Sequence, residues 1–151
     1  MPAFTTRVSE DLKNAMRAKD TVALNVIRAL KSAMKYAAIE KLGADSELED
    51  GDALVVVRRE IKKRQDSVAS YEKAARADLA DVEKAEIAVL EKYLPAAMNA
   101  DDLIKLVEAV ITETGATSKK DMGKVMKILQ ERTAGAADNK TLSAEVSSRL
   151  Q

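Results

Sequence analysis

Apolar residues recur three and four positions apart from near the start of this chain to its end, and only two Pro and five Gly interrupt its 151 residues. That spacing lines one side of an α-helix, which turns once in about 3.6 residues, whereas a half-buried strand alternates every second residue. Val8, Leu12, Ala15 and Met16 mark a first helix. Asp20 is placed to cap a second, whose inward positions are Val26, Ile27, Leu30, Met34 and Ala37 or Ala38, ending before Gly43. The polar, acidic stretch 42–51 reads as a loop. A long third helix over about residues 52–74 carries Leu54, Val57, Ile61, Val68 and Tyr71, with Arg64 standing where another apolar residue would continue the stripe. Val55, Val56 and Val57 would suit a strand, but the spacing runs on for three more turns without a turn signal, so helix is the better reading.

Asp78 is the candidate cap of a fourth helix, with Val82, Ile87, Leu90 and Leu94 inward and Pro95 closing it. Residues 95–99 read as a joint. Beyond it Asn99 caps a helix with Leu103, Leu106, Val107, Val110 and Ile111, which Gly115 ends. Ser118 with Asp121 three positions on resembles a capping box for a helix carrying Met122, Val125, Met126 and Leu129. After a small-residue loop, Asp138 or Asn139 opens a last helix with Leu142, Val146 and Leu150. The expectation is an all-α chain of two helical lobes: four helices in residues 1–94, then a three-helix lobe in 95–151.

The chain has no His, no Cys and no Trp. This excludes a His-based nucleophile triad, a zinc site of nitrogen or sulfur ligands, and thiol redox chemistry. No metal and no cofactor are expected. The acidic loop from Asp45 fails as a calcium loop, since its sixth position is Asp50 rather than Gly and its twelfth is Val56 rather than Glu. Gly123-Lys124 is not the end of a phosphate loop, because the first Gly of that motif falls on Ser118 and Val125 replaces the Ser or Thr. Carboxylates at Glu83 and Glu86, and at Asp101 and Asp102, suit the positive ends of helix dipoles, so no catalytic residue is assigned. The start of the sequence lacks an apolar leader and no apolar run approaches the roughly 18 residues a spanning helix needs, so neither export nor a membrane is expected. The reading is a cytoplasmic location.

Lys plus Arg is 25 and Asp plus Glu is 25, and each lobe is separately balanced, so polyanion binding must use local patches. Two are visible. Arg58, Arg59, Lys62, Lys63 and Arg64 crowd two turns of the third helix, and Lys120, Lys124 and Lys127 form a stripe about 10 Å long. Either is also what a solvated helix face looks like, paired in part with Glu60, Asp66 and Glu131. With only Phe4, Tyr36, Tyr71 and Tyr93 as aromatics, and three of them near buried stripes, a base-stacking platform is not expected. RNA would be read by shape and backbone, and no DNA partner is expected. Gly123 lies inside a helix, where Gly costs about 1 kcal/mol relative to Ala, so something is expected to approach its backbone: another helix or an RNA strand.

In order along the chain, the stretches 28–33 (RALKSA), 59–67 (REIKKRQDS), 72–74 (EKA), 76–79 (RADL), 86–95 with its Tyr93-Leu94-Pro95, and 121–126 (DMGKVM) resemble the YqeY-like family, also called the GatB/YqeY family. The resemblance implies an all-helical, two-lobe protein whose second lobe is similar to the C-terminal tail of the GatB component of the glutamyl/aspartyl-tRNA amidotransferase. That tail helps grip tRNA, while ammonia production and transfer occur in other domains. A carbon–nitrogen ligase label with glutamine as amido donor would then describe association rather than chemistry performed here. The loop Ala134-Gly135-Ala136-Ala137-Asp138 departs from the family pattern by losing two positive charges. The function expected is a non-catalytic module that binds tRNA or a tRNA-handling enzyme. Lys120, Lys124, Lys127 and Arg132 would contact phosphates, Gly123 would permit close approach, and the 58–64 cluster would form a second patch. The alternative is a helical protein–protein adaptor docking through its third helix, with no nucleic-acid role.

Overall fold

A computed structural model describes residues 3–151, and among them every regular element is helical. The backbone divides into two compact units, the first ending at Leu94 and the second running Pro95–Gln151.

The first unit holds α1 (Ala3–Ala18), α2 (Thr21–Leu42), α3 (Asp50–Lys73) and α4 (Ala77–Glu91). α2 starts where the Asp20 carboxylate accepts the Ala23 N–H at 3.1 Å, satisfying one of the orphan donors of the first turn. Gly43, at φ 94°, ends it in a backbone region that disfavours a side chain. Asp20→Ala is expected to lower stability by about 1 kcal/mol, with Asp20→Asn nearly neutral, read from urea unfolding. The core gathers Phe4, Val8 and Ala15 of α1, Val26, Ile27, Leu30, Met34 and Ala38 of α2, Ala53, Val56, Val57 and Ile61 of α3, and Leu90 and Tyr93.

Tyr93 locks the end of α4 onto α1. Its ring lies 5.6 Å from that of Phe4, the Arg7 guanidinium sits 4.8 Å from its centroid, and its hydroxyl donates to Asp11 at 2.6 Å. Burial and that bond to a carboxylate hold the phenol protonated well above its usual range.

Several inward assignments change. Met16 and Val82 are about half exposed, because α1 and α4 turn smaller residues, Ala15 and Ala80, to the interior. α3 begins at Asp50, two residues before the expected start, and the Asp50 carboxylate accepts the Phe4 N–H at 3.1 Å. Asp78 lies in the first turn of α4, whose cap position is Arg76. Leu48 in the acidic loop is buried, so that loop is tethered to the core.

The second unit holds α5 (Ala100–Thr114), a single 3-10 turn (Lys119–Asp121), α6 (Met122–Thr133) and α7 (Asn139–Ser147). Asn99 accepts the Asp101 N–H at 2.8 Å, Asp138 accepts the Thr141 N–H at 2.7 Å, and Gly115 ends α5 in the left-handed region at φ 65°. The core is Leu103, Val107 and Val110 against Val125 and Leu129 and against Leu142 and Val146, closed by Ala116 and Leu150.

Candidate nucleic-acid interface

The start of α6 is set by a reciprocal cap. The Ser118 side chain accepts from the Asp121 amide, while the Asp121 carboxylate accepts the Thr117 N–H at 3.2 Å and the Ser118 N–H at 3.4 Å. The Lys119 N–H donates to the Gln151 carbonyl at 3.0 Å, tying this corner to the residues after α7. Val125 and Leu129, both fully buried, fix which side of α6 faces the core. The opposite side therefore carries Lys120, Lys124 and Lys127 outward, all exposed, with Lys120 on the 3-10 turn rather than on α6 itself.

None of these three lysines, nor Lys119 beside them, makes an ion pair or side-chain hydrogen bond among the described residues. Lys119 is the member that helical spacing misses, although its adjacency to Lys120 is a signal the sequence carries. Gly123 is exposed in the first turn of α6, and a Cβ placed on it would meet nothing within 4 Å. Among the described residues no helix of its own unit comes within that distance, so packing of α5 or α7 does not account for this glycine. What remains is a bare stretch of backbone between four uncompensated cations.

Arg132 is differently employed. Its guanidinium grips Glu113 through both carboxylate oxygens, at 3.0 and 2.6 Å, and staples α6 to α5. That hydrogen bonding holds Glu113 below and Arg132 above their usual ranges. Its charge is therefore compensated, and it stands apart from the lysine stripe. The loop after α6 turns at Ala134, φ 47°, and Gly135, φ 87°, and brings no cation to the surface.

In the other unit the 58–64 cluster is largely consumed by carboxylates. Lys62 pairs with Asp66 at 2.8 Å and Lys63 with Glu60 at 3.1 Å. Arg64, only 14% exposed at its side chain, donates to Glu60 at 3.0 Å and to Glu86 of α4 at 3.0 Å. Burial works to raise the Glu60 pKa, but hydrogen bonds from Arg64 and Lys63 outweigh it and hold the carboxyl below its ordinary value. Arg58 is partly buried and engaged within the chain, which leaves Arg59 as the exposed member without an ion pair. Within the cluster Arg64 clasps α3 to α4, while Lys62 and Lys63 pair along α3 itself.

The sequence matches the family described as Yqey-like protein over residues 5–150. It is 30% identical over 147 residues to "Altered inheritance of mitochondria protein 41, mitochondrial" of Pyrenophora tritici-repentis, covering 93% of this chain and 77% of that one. Proteins of the same name from Saccharomyces cerevisiae and Kluyveromyces lactis are 32% identical over 123 residues and 36% identical over 86. These matches cover 76% and 57% of this chain but only 65% and 45% of the yeast proteins' own lengths. The names of all three place them in mitochondria, and this overturns the expectation of a cytoplasmic location. Mitochondrial proteins are addressed by amphipathic rather than apolar segments, which a search for apolar runs does not detect.

Proposed function

The chain belongs to the YqeY-like family, and from that premise we propose that it is a non-catalytic helical module that binds tRNA, alone or in association with a tRNA-dependent amidotransferase-type enzyme. One observation carries the reading: Lys120, Lys124 and Lys127 project from one side of the α6 corner, uncompensated, around the exposed backbone of Gly123. In a chain of zero net charge, three aligned lysines left without partners form a local anion site. An exposed glycine within that site lets a sugar–phosphate strand come closer than a side chain would allow. The resemblance of residues 95–151 to an amidotransferase tail that grips tRNA supports the same reading.

Three phosphate contacts release about two to three counterions, so affinity for tRNA should fall about twenty- to fortyfold between 50 and 200 mM salt. The test is fluorescence anisotropy of labelled bulk tRNA at those two salt concentrations. Lys120→Glu/Lys124→Glu/Lys127→Glu should abolish binding with an unchanged circular-dichroism spectrum, since all three side chains are exposed. Unchanged affinity in that variant overturns the assignment. No binding by the unmodified chain at the lower salt would turn attention to the adaptor reading, with partner capture insensitive to RNase as its mark.

A further inference from the structure

We propose that the outward face of α2 is a second RNA contact, a track for an unpaired strand in which Arg28, Lys31 and Lys35 meet phosphates and Tyr36 is the platform on which a base stacks. This rests on the tRNA reading above and adds a surface on the other unit. The buried side of α2 is settled by Val26, Ile27, Leu30, Met34 and Ala38. At about 100° per residue, Lys31, Lys35, Arg28, Ser32 and Tyr36 follow one another in that order around the opposite side. All five are exposed, and none of the three cations has an ion pair or hydrogen bond among the described residues. From Arg28 to Lys35 the helix rises about 10 Å, the reach of neighbouring phosphates on one strand.

Tyr36 supplies the stacking surface that the count of aromatics did not lead one to expect. At 74% exposure it is the most exposed of the large hydrophobic residues described, and its hydroxyl bonds to nothing among the described residues. An aromatic ring held in water beside three free cations on a rigid helix is the arrangement that single-strand binders use, since every base has a π-face to offer. The 58–64 cluster lacks this character, because Asp66, Glu60 and Glu86 already pair with Lys62, Lys63 and Arg64.

The same face runs on to Ile39 and Leu42, 44% and 52% exposed, which would also suit a lipid surface. A flat anionic surface reaching those residues would meet the acidic loop beyond them, and Asp45 and Glu47 line the groove of about 470 Å³ that Lys31 and Lys35 border. A single strand lying along residues 28–36 meets Lys31 and Lys35 at the edge of that groove and has no need to extend over Ile39 and Leu42 to the acidic loop. RNA is therefore the occupant the charges favour.

The chain has no Trp, so Tyr36→Trp installs a sole indole reporter at an exposed position. Full-length protein carrying it is titrated with bulk tRNA and with single-stranded oligouridylate, following indole emission and, in parallel, anisotropy of the labelled RNA. Saturable quenching by both RNAs is expected. Tyr36→Ala should weaken oligouridylate binding about tenfold while Tyr36→Phe retains it. Arg28→Glu/Lys31→Glu/Lys35→Glu should lower the salt slope for the single strand by about two. If tRNA binds by anisotropy while the indole is silent and the triple variant behaves as the parent, the α2 track is overturned and the α6 reading stands. If the indole shifts to the blue on vesicles of equal parts phosphatidylserine and phosphatidylcholine and ignores RNA, the face is a lipid contact and the proposal fails. If the unmodified chain binds no tRNA at the lower salt, both readings fail together.

Discussion

Leu129→Ala is expected to unfold the second unit at or near room temperature while α1–α4 keep their structure. Leu129 is fully buried between the layers of α5, α6 and α7, and its neighbours Val107, Val110, Val125, Leu142 and Val146 are equally inaccessible. Truncating a leucine in such a site costs about 3–5 kcal/mol, the lost transfer energy plus the cavity that close packing cannot refill. A unit the size of Pro95–Gln151 holds only about 3–9 kcal/mol in total, so this one change consumes most of it. Hydrogen exchange should show lost protection across Ala100–Ser147 with protection in α2 and α3 retained. Leu129→Met, nearly volume-conserving, should cost less than about 1.5 kcal/mol and serves as the control. Loss of protection throughout the chain in Leu129→Ala would show instead that the two units fold as one.

Arg64→Ala should be the most damaging charge removal in the chain, at about 2–3 kcal/mol. It strands the Glu60 carboxylate, whose side chain is only 9% exposed, and frees Glu86 from α3. Removing one partner of a buried pair costs about 3–5 kcal/mol, and the smaller figure here reflects Lys63, which stays bonded to Glu60. Lys62→Ala, which loses only an exposed pair with Asp66, should hardly register. Glu60→Leu/Arg64→Met should recover much of the loss, because a well-packed apolar pair needs no desolvation. The clasp also sets an acid limit. Glu60 titrates below its ordinary 4.5 when folded, so its contribution is complete above that value and is lost as pH falls through the lower folded-state value. Unfolding midpoints measured downward from neutral pH should decline there in the parent, and the decline should be shallower in Glu60→Leu/Arg64→Met.

Legibility in the sequence differs from helix to helix. α2 is readable nearly to the residue, because Asp20 and Gly43 act on their own backbone neighbours and Val26, Ile27, Leu30, Met34 and Ala38 keep strict helical spacing. α5 is equally plain, with Asn99 and Gly115 at its ends. α4 is not, since Ala80 fills the buried position that the larger Val82 was expected to take, and alanine carries little hydrophobic signal of its own. In α3 Arg64 is visible as an interruption of the apolar stripe, yet its second partner, Glu86, stands 22 residues away on another helix. No local rule connects the two.

The candidate sites divide in the same way. That Lys124 and Lys127 share a helix side follows from spacing alone, while the place of Lys120 on the preceding 3-10 turn, the three lysines' freedom from carboxylates and the emptiness above Gly123 required the packed molecule. The five cations at 58–64 look the stronger patch in the sequence, and the fold pairs Lys62, Lys63 and Arg64 with Asp66, Glu60 and Glu86, with only Arg64 of these three largely buried. Tyr36 is the reverse case, an aromatic open to water in a chain for which no stacking platform was expected.

The sequence by itself determined the helices, most of their caps and the balance of charge, because periodicity and capping act within a few residues and survive without knowledge of neighbours. Which face each helix buries to the last residue, which charges are spent on one another and which are left unpaired were decided only by tertiary structure. Those outcomes depend on which side chains meet across helices distant in sequence, and on the desolvation and Coulomb energies that arise only when they do.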